Sequence, residues 1–231
     1  MNIFNHSLDC LIFDLDGTLY DASNGYVDHI RSNIFQFMYD QELVSRTESA
    51  EDIWRPLFKK HNQTYKGLRS GGFVFDRDEY WRFHRRGVAD YLSSNSELAQ
   101  MLSDMPLKKY IFTNCREREA MEALEALGVA DQFEKVYGAD FLGDCCKPQL
   151  EAFDLVLADI GVQPENTMFF EDSLKNLKAG ASLGMATVLV KGMTADEEGY
   201  SDGENFNCVV STLSDGGREL RDKVPILFAR N

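Results

Sequence analysis

The chain predicts an α/β fold: a Rossmann-like parallel sheet core covered by helices, with an all-helical cap inserted after the first strand. Three observations carry that prediction. From about residue 108 onward, short apolar runs bounded by turn residues alternate with helix-like segments, the pattern of a parallel sheet with covering helices. Between Leu19 and Asp104 such runs are few and helical periodicities several. Finally, the apolar run Cys10–Phe13 ends in Asp14-Leu15-Asp16-Gly17-Thr18, so two carboxylates sit where a buried strand stops. A chain of 231 residues is long enough for one large domain with a smaller insert. The expected division is a core of residues 1–19 and 105–231 and a cap of residues 20–104.

The elements follow in order. Cys10–Phe13 is the first expected strand. In the cap, Tyr26, Ile30, Ile34, Phe37 and Met38 fall at helical spacing, and Glu79 to Leu92 supplies a second, aromatic-rich helical pattern. Lys66 to Phe75, with Gly67, Gly71 and Gly72, reads as an intervening loop. Further strands are expected at Tyr110–Thr113, Lys135–Tyr137, Thr167–Phe170, Ala186–Val190 and Cys208–Val210. Glu117–Leu127 carries Ala120, Leu124 and Leu127 on one helical face and closes at Gly128, a good C-terminal stop. Pro148 opens another helix at its first turn, through Phe153, Leu155, Val156 and Leu157. Ser173–Leu183 is a third, ending at Gly184. Thr194–Asn207 is acidic and glycine-containing, as a surface loop would be.

Composition limits the partners. A net charge of -14 and a pI near 4.7 repel nucleic acid and anionic membranes. They repel a phosphate substrate at long range as well, so an anion site here must be local. Five cysteines without zinc-like spacing suggest a reducing compartment. Cys10 and Cys208 lie in apolar runs, as core thiols do, and the adjacent Cys145 and Cys146 are poorly placed to pair with each other. No secretory leader and no run of transmembrane length are evident. A cytoplasmic location is expected.

Asp14 and Asp16 alternate, and alternate side chains of an extended backbone point to the same side. Two like charges held close need a cation or a shared proton; the competing reading is a turn with two solvated carboxylates. In an open parallel sheet, ligands bind beyond the carboxyl ends of the strands. Those ends carry Asp14 and Asp16, Thr113-Asn114, and Glu171-Asp172-Ser173, while Lys147 precedes Pro148. Taken singly, Thr113 and Asn114 could merely end a strand, Lys147 could be solvated, and Asp172 or Ser173 could cap a helix.

Taken together, DLDGT at 14–18, IFTN at 111–114, KP at 147–148 and FFEDS at 169–173 resemble the four motifs of the haloacid dehalogenase-like (HAD) superfamily, in that family's order. The helical insert resembles its type I cap. The resemblance implies that Asp14 is the nucleophile, forming an aspartyl-phosphate, and that Asp16 is general acid and then general base. It implies Mg2+ held by Asp14, the backbone carbonyl of Asp16, and Asp172, an oxygen-only set suited to a hard cation. Thr113 and Asn114 N–H groups would hold phosphate oxygens, and Lys147 would balance their charge. Glu171 would orient metal-bound water, and Asn176, one turn after Asp172, would face the site. His84 is a further candidate by its place in the cap. The cap is expected to hinge near Thr18–Asp21 and Ser103–Pro106.

Asp16 distinguishes the chemistries of the superfamily. A halide leaves without a proton, whereas an alkoxide benefits from one, so phosphoester hydrolysis fits better than dehalogenation. A phosphonatase would need a cap lysine, and nothing marks Lys59, Lys60 or Lys66 as activated. DLDGTLY at 14–20, IFTN at 111–114, ALGVADQFEKVY at 126–137 and EDSLKN at 171–176 are most similar to the pyrimidine 5'-nucleotidase-like subgroup. Gly17 and Glu171 depart from it, since Asn and Asp are more usual there. The implied substrate is a nucleoside 5'-monophosphate such as UMP or CMP. The alternatives are a sugar-phosphate phosphatase, a β-phosphoglucomutase-like phosphomutase, or a HAD scaffold used for protein binding. The expected partner is a small phosphorylated metabolite, with no nucleic acid polymer and no membrane; a homodimer is left open.

Overall fold

A computed structural model describes residues 7–201 and 206–229. In chain order it contains β1 (Cys10–Phe13), α1 (Tyr26–Asp40), α2 (Ala50–His61), α3 (Thr64–Ser70), α4 (Arg77–His84), α5 (Val88–Tyr91) and α6 (Ser96–Asp104). There follow β2 (Lys108–Phe112), α7 (Glu117–Leu127), β3 (Lys135–Tyr137), α8 (Ala139–Leu142), α9 (Leu150–Ile160), β4 (Thr167–Glu171) and α10 (Leu174–Ser182). The chain closes with β5 (Ala186–Val190), α11 (Met193–Glu197), β6 (Cys208–Val210) and α12 (Arg218–Lys223). The strands form one six-stranded sheet in the order β3-β2-β1-β4-β5-β6, every neighbouring pair parallel.

β1 is central and wholly buried, and its side chains alternate between the sheet's two faces. Leu11 and Phe13 join one apolar cluster with Ile111, Phe170 and Val188. Cys10 and Ile12 join the other with Phe112, Phe153 and Phe169. Both faces are therefore covered, as parallel sheets require. Phe13 stacks on Phe170 at 4.2 Å between ring centroids, which ties β1 to β4 directly below the polar ends of both strands. A third cluster, built on Phe37, Met38, Trp54, Leu68, Tyr80 and Trp81, holds α1 to α4 together.

Four expectations change. Thr64–Ser70 is helical rather than a loop. Gly67 lets α3 lie on α2, because a Cβ there would come within 3.1 Å of the Leu57 backbone. That glycine serves helix packing, so its breaker value misleads. The Glu79–Leu92 pattern is two short helices, broken at Gly87 with φ 81°. The helix expected from Pro148 begins at Leu150, and the start of the acidic 194–207 segment is helical in α11. Residues 202–205 of that segment lie outside the described residues. β2 begins at Lys108, and Lys109 is buried, its ammonium donating to the carbonyls of Met105 (2.8 Å) and Leu107 (3.1 Å).

The elements between β1 and β2 are all helical, but they do not pack as one body. Leu98, Met101 and Leu102 of α6, with Met105, are buried in the cluster of β1 and β2, although residues 96–104 were expected in the cap. Of Ser103–Pro106, Met105 is anchored in that cluster, while Ser103 and Pro106 are exposed. Among the described residues, no helix is long and apolar enough to cross a membrane.

Candidate active site

The strand order reverses at β1, with β2 on one side and β4 on the other, the place where open α/β sheets bind ligands. The Asp14 N–H donates to the Phe170 carbonyl (2.9 Å), so the β1–β4 ladder itself sets the Asp14 backbone. Gly17 then turns the chain with φ 81°. A Cβ there would lie 2.2 Å from Asp172 Oδ2, so only glycine lets this loop close on the Asp172 carboxylate.

Lys147 organises the cluster. It is 1% exposed, and its Nζ donates to Asp14 Oδ1 (2.6 Å), Glu171 Oε2 (2.7 Å) and the Phe112 carbonyl (2.7 Å). An ammonium has three N–H donors, and all three are used. Lys147 can therefore lend its charge to a bound phosphate while its three N–H groups are spent on protein oxygens. Glu171 is equally saturated. Its Oε1 accepts from the Asp172 and Ser173 N–H groups (3.2 and 3.1 Å), and its Oε2 accepts from Lys147 and from Asn176 Nδ2 (3.0 Å).

Carboxylate oxygens of Asp14, Glu171 and Asp172 lie within 4.8 Å of one another, and all three residues are buried. Three carboxylates against one ammonium leave an excess of negative charge. Burial, then the Glu171 charge, pushes the Asp14 carboxyl up to about 7. Burial and the Glu171 charge likewise hold Asp172 well above the usual carboxylate range. A divalent cation would cancel the excess, and the available oxygens of Asp14 and Asp172 with the Asp16 carbonyl are the hard donors Mg2+ prefers. The residues fit that ion. Asp14 Oδ2 has only a long contact, from Thr18 Oγ1 at 3.5 Å, and is the freer oxygen for attack.

The second motif differs from expectation in detail. The Thr113 N–H donates to the Tyr137 carbonyl (2.9 Å) as the ladder to β3 continues, so it is not available to an anion. Its hydroxyl oxygen accepts from the Cys115 N–H (3.1 Å), leaving the O–H to donate. The Asn114 side chain is a brace: Nδ2 donates to the Lys147 and Asn62 carbonyls (both 3.0 Å), and Oδ1 accepts from the Lys147 N–H (2.9 Å).

Asp16 stands apart from the three-carboxylate cluster. Arg85 grips it with two parallel bonds, Nη1 to Oδ2 (2.7 Å) and Nη2 to Oδ1 (2.6 Å), and the Tyr20 hydroxyl donates to Oδ1. Against burial, the Arg85 charge and these bonds hold the Asp16 carboxyl below its ordinary value. Arg85 is 4% exposed, and its own carbonyl accepts from the Tyr26 hydroxyl (2.8 Å). Sequence reasoning missed it, because His84-Arg85-Arg86 reads as a solvated basic run. It also missed Asn62 and Gln63. Asn62 Nδ2 donates to the Lys147 carbonyl (2.9 Å) and to Asn176 Oδ1 (3.3 Å), and Gln63 Nε2 donates to the Asn114 carbonyl (2.8 Å). The one signal for them was their polarity at the end of an apolar-faced helix. His84 is buried, stacked on Tyr80 at 4.5 Å, and burial depresses its pKa to about 3. It is a neutral packing residue.

Between these walls lies a cavity of about 850 Å³, a size typical of small-molecule sites. Asp14, Thr113 and Lys147 line one side, and Ile30, Trp54 and Gln63 the other. The five cysteines are free and buried, including Cys115, which burial pushes well above its ordinary pKa.

Residues 8–184 match the haloacid dehalogenase-like hydrolase family. The chain is 30% identical over 209 residues to the glyceraldehyde 3-phosphate phosphatase of Methanocaldococcus jannaschii, a match covering 83% of this chain and 90% of that protein. It is 25% identical over 195 residues to Phosphate metabolism protein 8 of Saccharomyces cerevisiae, covering 77% of this chain but only 60% of the yeast protein. A HAD phosphatase from Thermococcus onnurineus shares the fold with a TM-score of 0.65 at 18% identity, over 93% of this chain and 97% of the other.

Proposed function

The chain belongs to the haloacid dehalogenase-like hydrolase family, and we propose that it is a Mg2+-dependent phosphomonoester hydrolase working through an aspartyl-phosphate on Asp14. The observation that carries the reading is the Lys147 ammonium buried between Asp14 and Glu171 beside Asp172. It holds one oxygen of the nucleophile and leaves the other toward the cavity. In the first step Asp14 Oδ2 attacks phosphorus, the bond from phosphorus to the leaving oxygen breaks, and Asp16 gives that oxygen a proton. In the second, Asp16 takes a proton from water as the water attacks phosphorus, and Asp14 is released with inorganic phosphate. Asp14, the Asp16 carbonyl and Asp172 would hold Mg2+, which would neutralise nucleophile and phosphate when bound. The Thr113 hydroxyl and the Asn114 N–H would position phosphate oxygens, with Lys147 lending charge, and Glu171 and Asn176 would orient the others.

Arg85 adds a constraint. A carboxylate gripped on both oxygens by guanidinium is in its ionised form, the base that water needs in the second step. For Asp16 to carry a proton in the first step, Arg85 must loosen, which calls for cap motion.

A nucleoside 5'-monophosphate is the first substrate class, supported by motif similarity to the nucleotidase-like subgroup. A sugar phosphate is the second, favoured by the 30% identity to a glyceraldehyde 3-phosphate phosphatase. The test is phosphate release from UMP, CMP, sugar phosphates and p-nitrophenyl phosphate, with and without Mg2+. Mg2+-dependent release is expected; release unaffected by chelator contradicts the metal site, and no release from any substrate contradicts the phosphatase.

A further inference from the structure

We infer that Asn62, at the end of α2, is a positioning residue for Lys147: it holds the Lys147 peptide and, through that peptide, the ammonium of the site. Its value to turnover rests on the phosphatase reading above; the hold on the ammonium does not.

The motif residues are not positioned alike. The Asp14 and Thr113 N–H groups extend strand ladders, donating to the Phe170 and Tyr137 carbonyls, and Glu171 lies in β4, paired with β5. Lys147 lies between α8 and α9, in no strand, so side chains must satisfy its backbone as the ladders do elsewhere. Its N–H donates to Asn114 Oδ1 (2.9 Å), and its carbonyl accepts from Asn114 Nδ2 (3.0 Å) and Asn62 Nδ2 (2.9 Å). A carbonyl oxygen has two lone pairs, and both are taken. The ammonium at the other end is pinned by three bonds. A shift of the peptide must therefore force side-chain torsions out of their staggered wells or break one of those bonds.

The local structure of Asn62 suits this task. Its backbone is left-handed, with φ 53°, a conformation that Asn tolerates better than most residues. Its N–H closes α2 on the Phe58 carbonyl (2.8 Å). The neighbours fix the orientation of the amide. Nδ2 faces two oxygens, the Lys147 carbonyl and Asn176 Oδ1 (3.3 Å), while Oδ1 accepts from the Lys175 ammonium (3.1 Å). A reversed amide would set oxygen against oxygen and N–H against ammonium. The Asn62 carbonyl accepts from Asn114 Nδ2 (3.0 Å), which steadies the other brace on the same peptide. A second route runs through Asn176, whose Nδ2 donates to Glu171 Oε2 (3.0 Å), the oxygen that Lys147 Nζ also bonds. Asn62 thus reaches Lys147 at both ends, directly at the carbonyl and through Asn176 and Glu171 at the ammonium.

The test compares wild type with Asn62→Gly and Asn62→Asp, all with Mg2+. Glycine accepts the left-handed turn and removes only the amide; aspartate keeps an oxygen for Lys175 and sets the other against the Lys147 carbonyl. One readout is kcat and KM on p-nitrophenyl phosphate, UMP, CMP and a hexose phosphate. The other is the proton–nitrogen NMR spectrum of the lysine ammonium groups, in which Lys147→Met identifies the Lys147 signal. A buried, fully bonded ammonium exchanges slowly with water, so the wild type should give that signal and both variants should broaden or lose it. Both should also lower kcat roughly 30-fold on every substrate turned over, with KM within about threefold, since misplacing a charge-stabilising group costs turnover more than binding. An unchanged kcat in both variants overturns the inference, as does a rise in KM with kcat kept, which would make Asn62 a substrate contact. A Lys147 signal absent from the wild type, or unaltered in the variants, overturns it too; in each case the phosphatase reading stands. A wild type inert on every substrate overturns the phosphatase reading, and the ammonium spectrum alone then decides whether Asn62 holds Lys147.

Discussion

The two walls of the cavity are held by different physics. On the sheet wall, Lys147, Asp14, Glu171 and Asp172 are all buried and bonded to one another or to strand backbone. On the helical wall each tie is a side chain reaching across. Arg85 grips Asp16, Gln63 meets the Asn114 carbonyl, Arg77 pairs with Asp140 (2.6 Å), and Asp78 pairs with Arg116 (2.5 Å). The first wall is arranged before any ligand arrives. The second is joined by separate contacts that can be undone one at a time.

The largest expected effect breaks the sheet wall. Asp14→Asn should lower kcat by about 10⁴ or more and yet raise the Tm of the Mg2+-free protein. The sign follows from the raised carboxyl, pushed up to about 7 from 3.8. Between those values the folded protein keeps a proton that the unfolded chain releases, so stability falls as pH rises through the window and stays reduced above it. Asn at 14 removes that loss, so melting at pH 8 without metal should favour the variant, and Mg2+ should narrow the gap. Lys147→Met should act the other way. It strips the ammonium bonded to Asp14 and Glu171 from three buried carboxylates, and should cost about 3–5 kcal/mol in urea unfolding without metal; an unchanged midpoint would mean that the carboxylates are neutral without it.

Smaller effects probe the helical wall. Arg85→Met should lower kcat on alkyl phosphates about tenfold and on aryl phosphates less, because Asp16 loses its alignment as proton carrier. Distance labels on α4 and α9 should report a broader distribution, and an unchanged distribution would separate the Asp16 clamp from cap closure. His84→Phe should have the least effect on turnover. Its imidazole is buried with a pKa of about 3, so the wild type loses stability as pH falls below the unfolded value near 6.5. Unfolding at pH 7 and pH 5 should show a smaller difference in the variant.

The sheet wall was legible because its chemistry lies in contiguous motifs at strand ends, where the backbone itself positions Asp14, Thr113 and Asp172. The sequence could not show that the Thr113 N–H would be spent on Tyr137, or that Lys147 would exhaust its donors, since both follow from pairing with β3 and from burial depth. The helical wall was almost illegible. Gly67 looked like a loop and serves close helix packing. Arg85 carried no motif and is buried across 69 residues of chain from Asp16. Nothing local marks a side chain whose partner comes from a distant element.

The central claim is that Asp14 carries the phosphoryl group. The most direct test is a single-turnover reaction with Mg2+, quenched in acid within the first turnover and digested for mass spectrometry. The account predicts one added phosphoryl group on the peptide containing Asp14, lost on treatment with hydroxylamine and absent in Asp14→Asn. Full phosphate release with no phosphoryl group on that peptide at any time, or in an equally active Asp14→Asn protein, would contradict it.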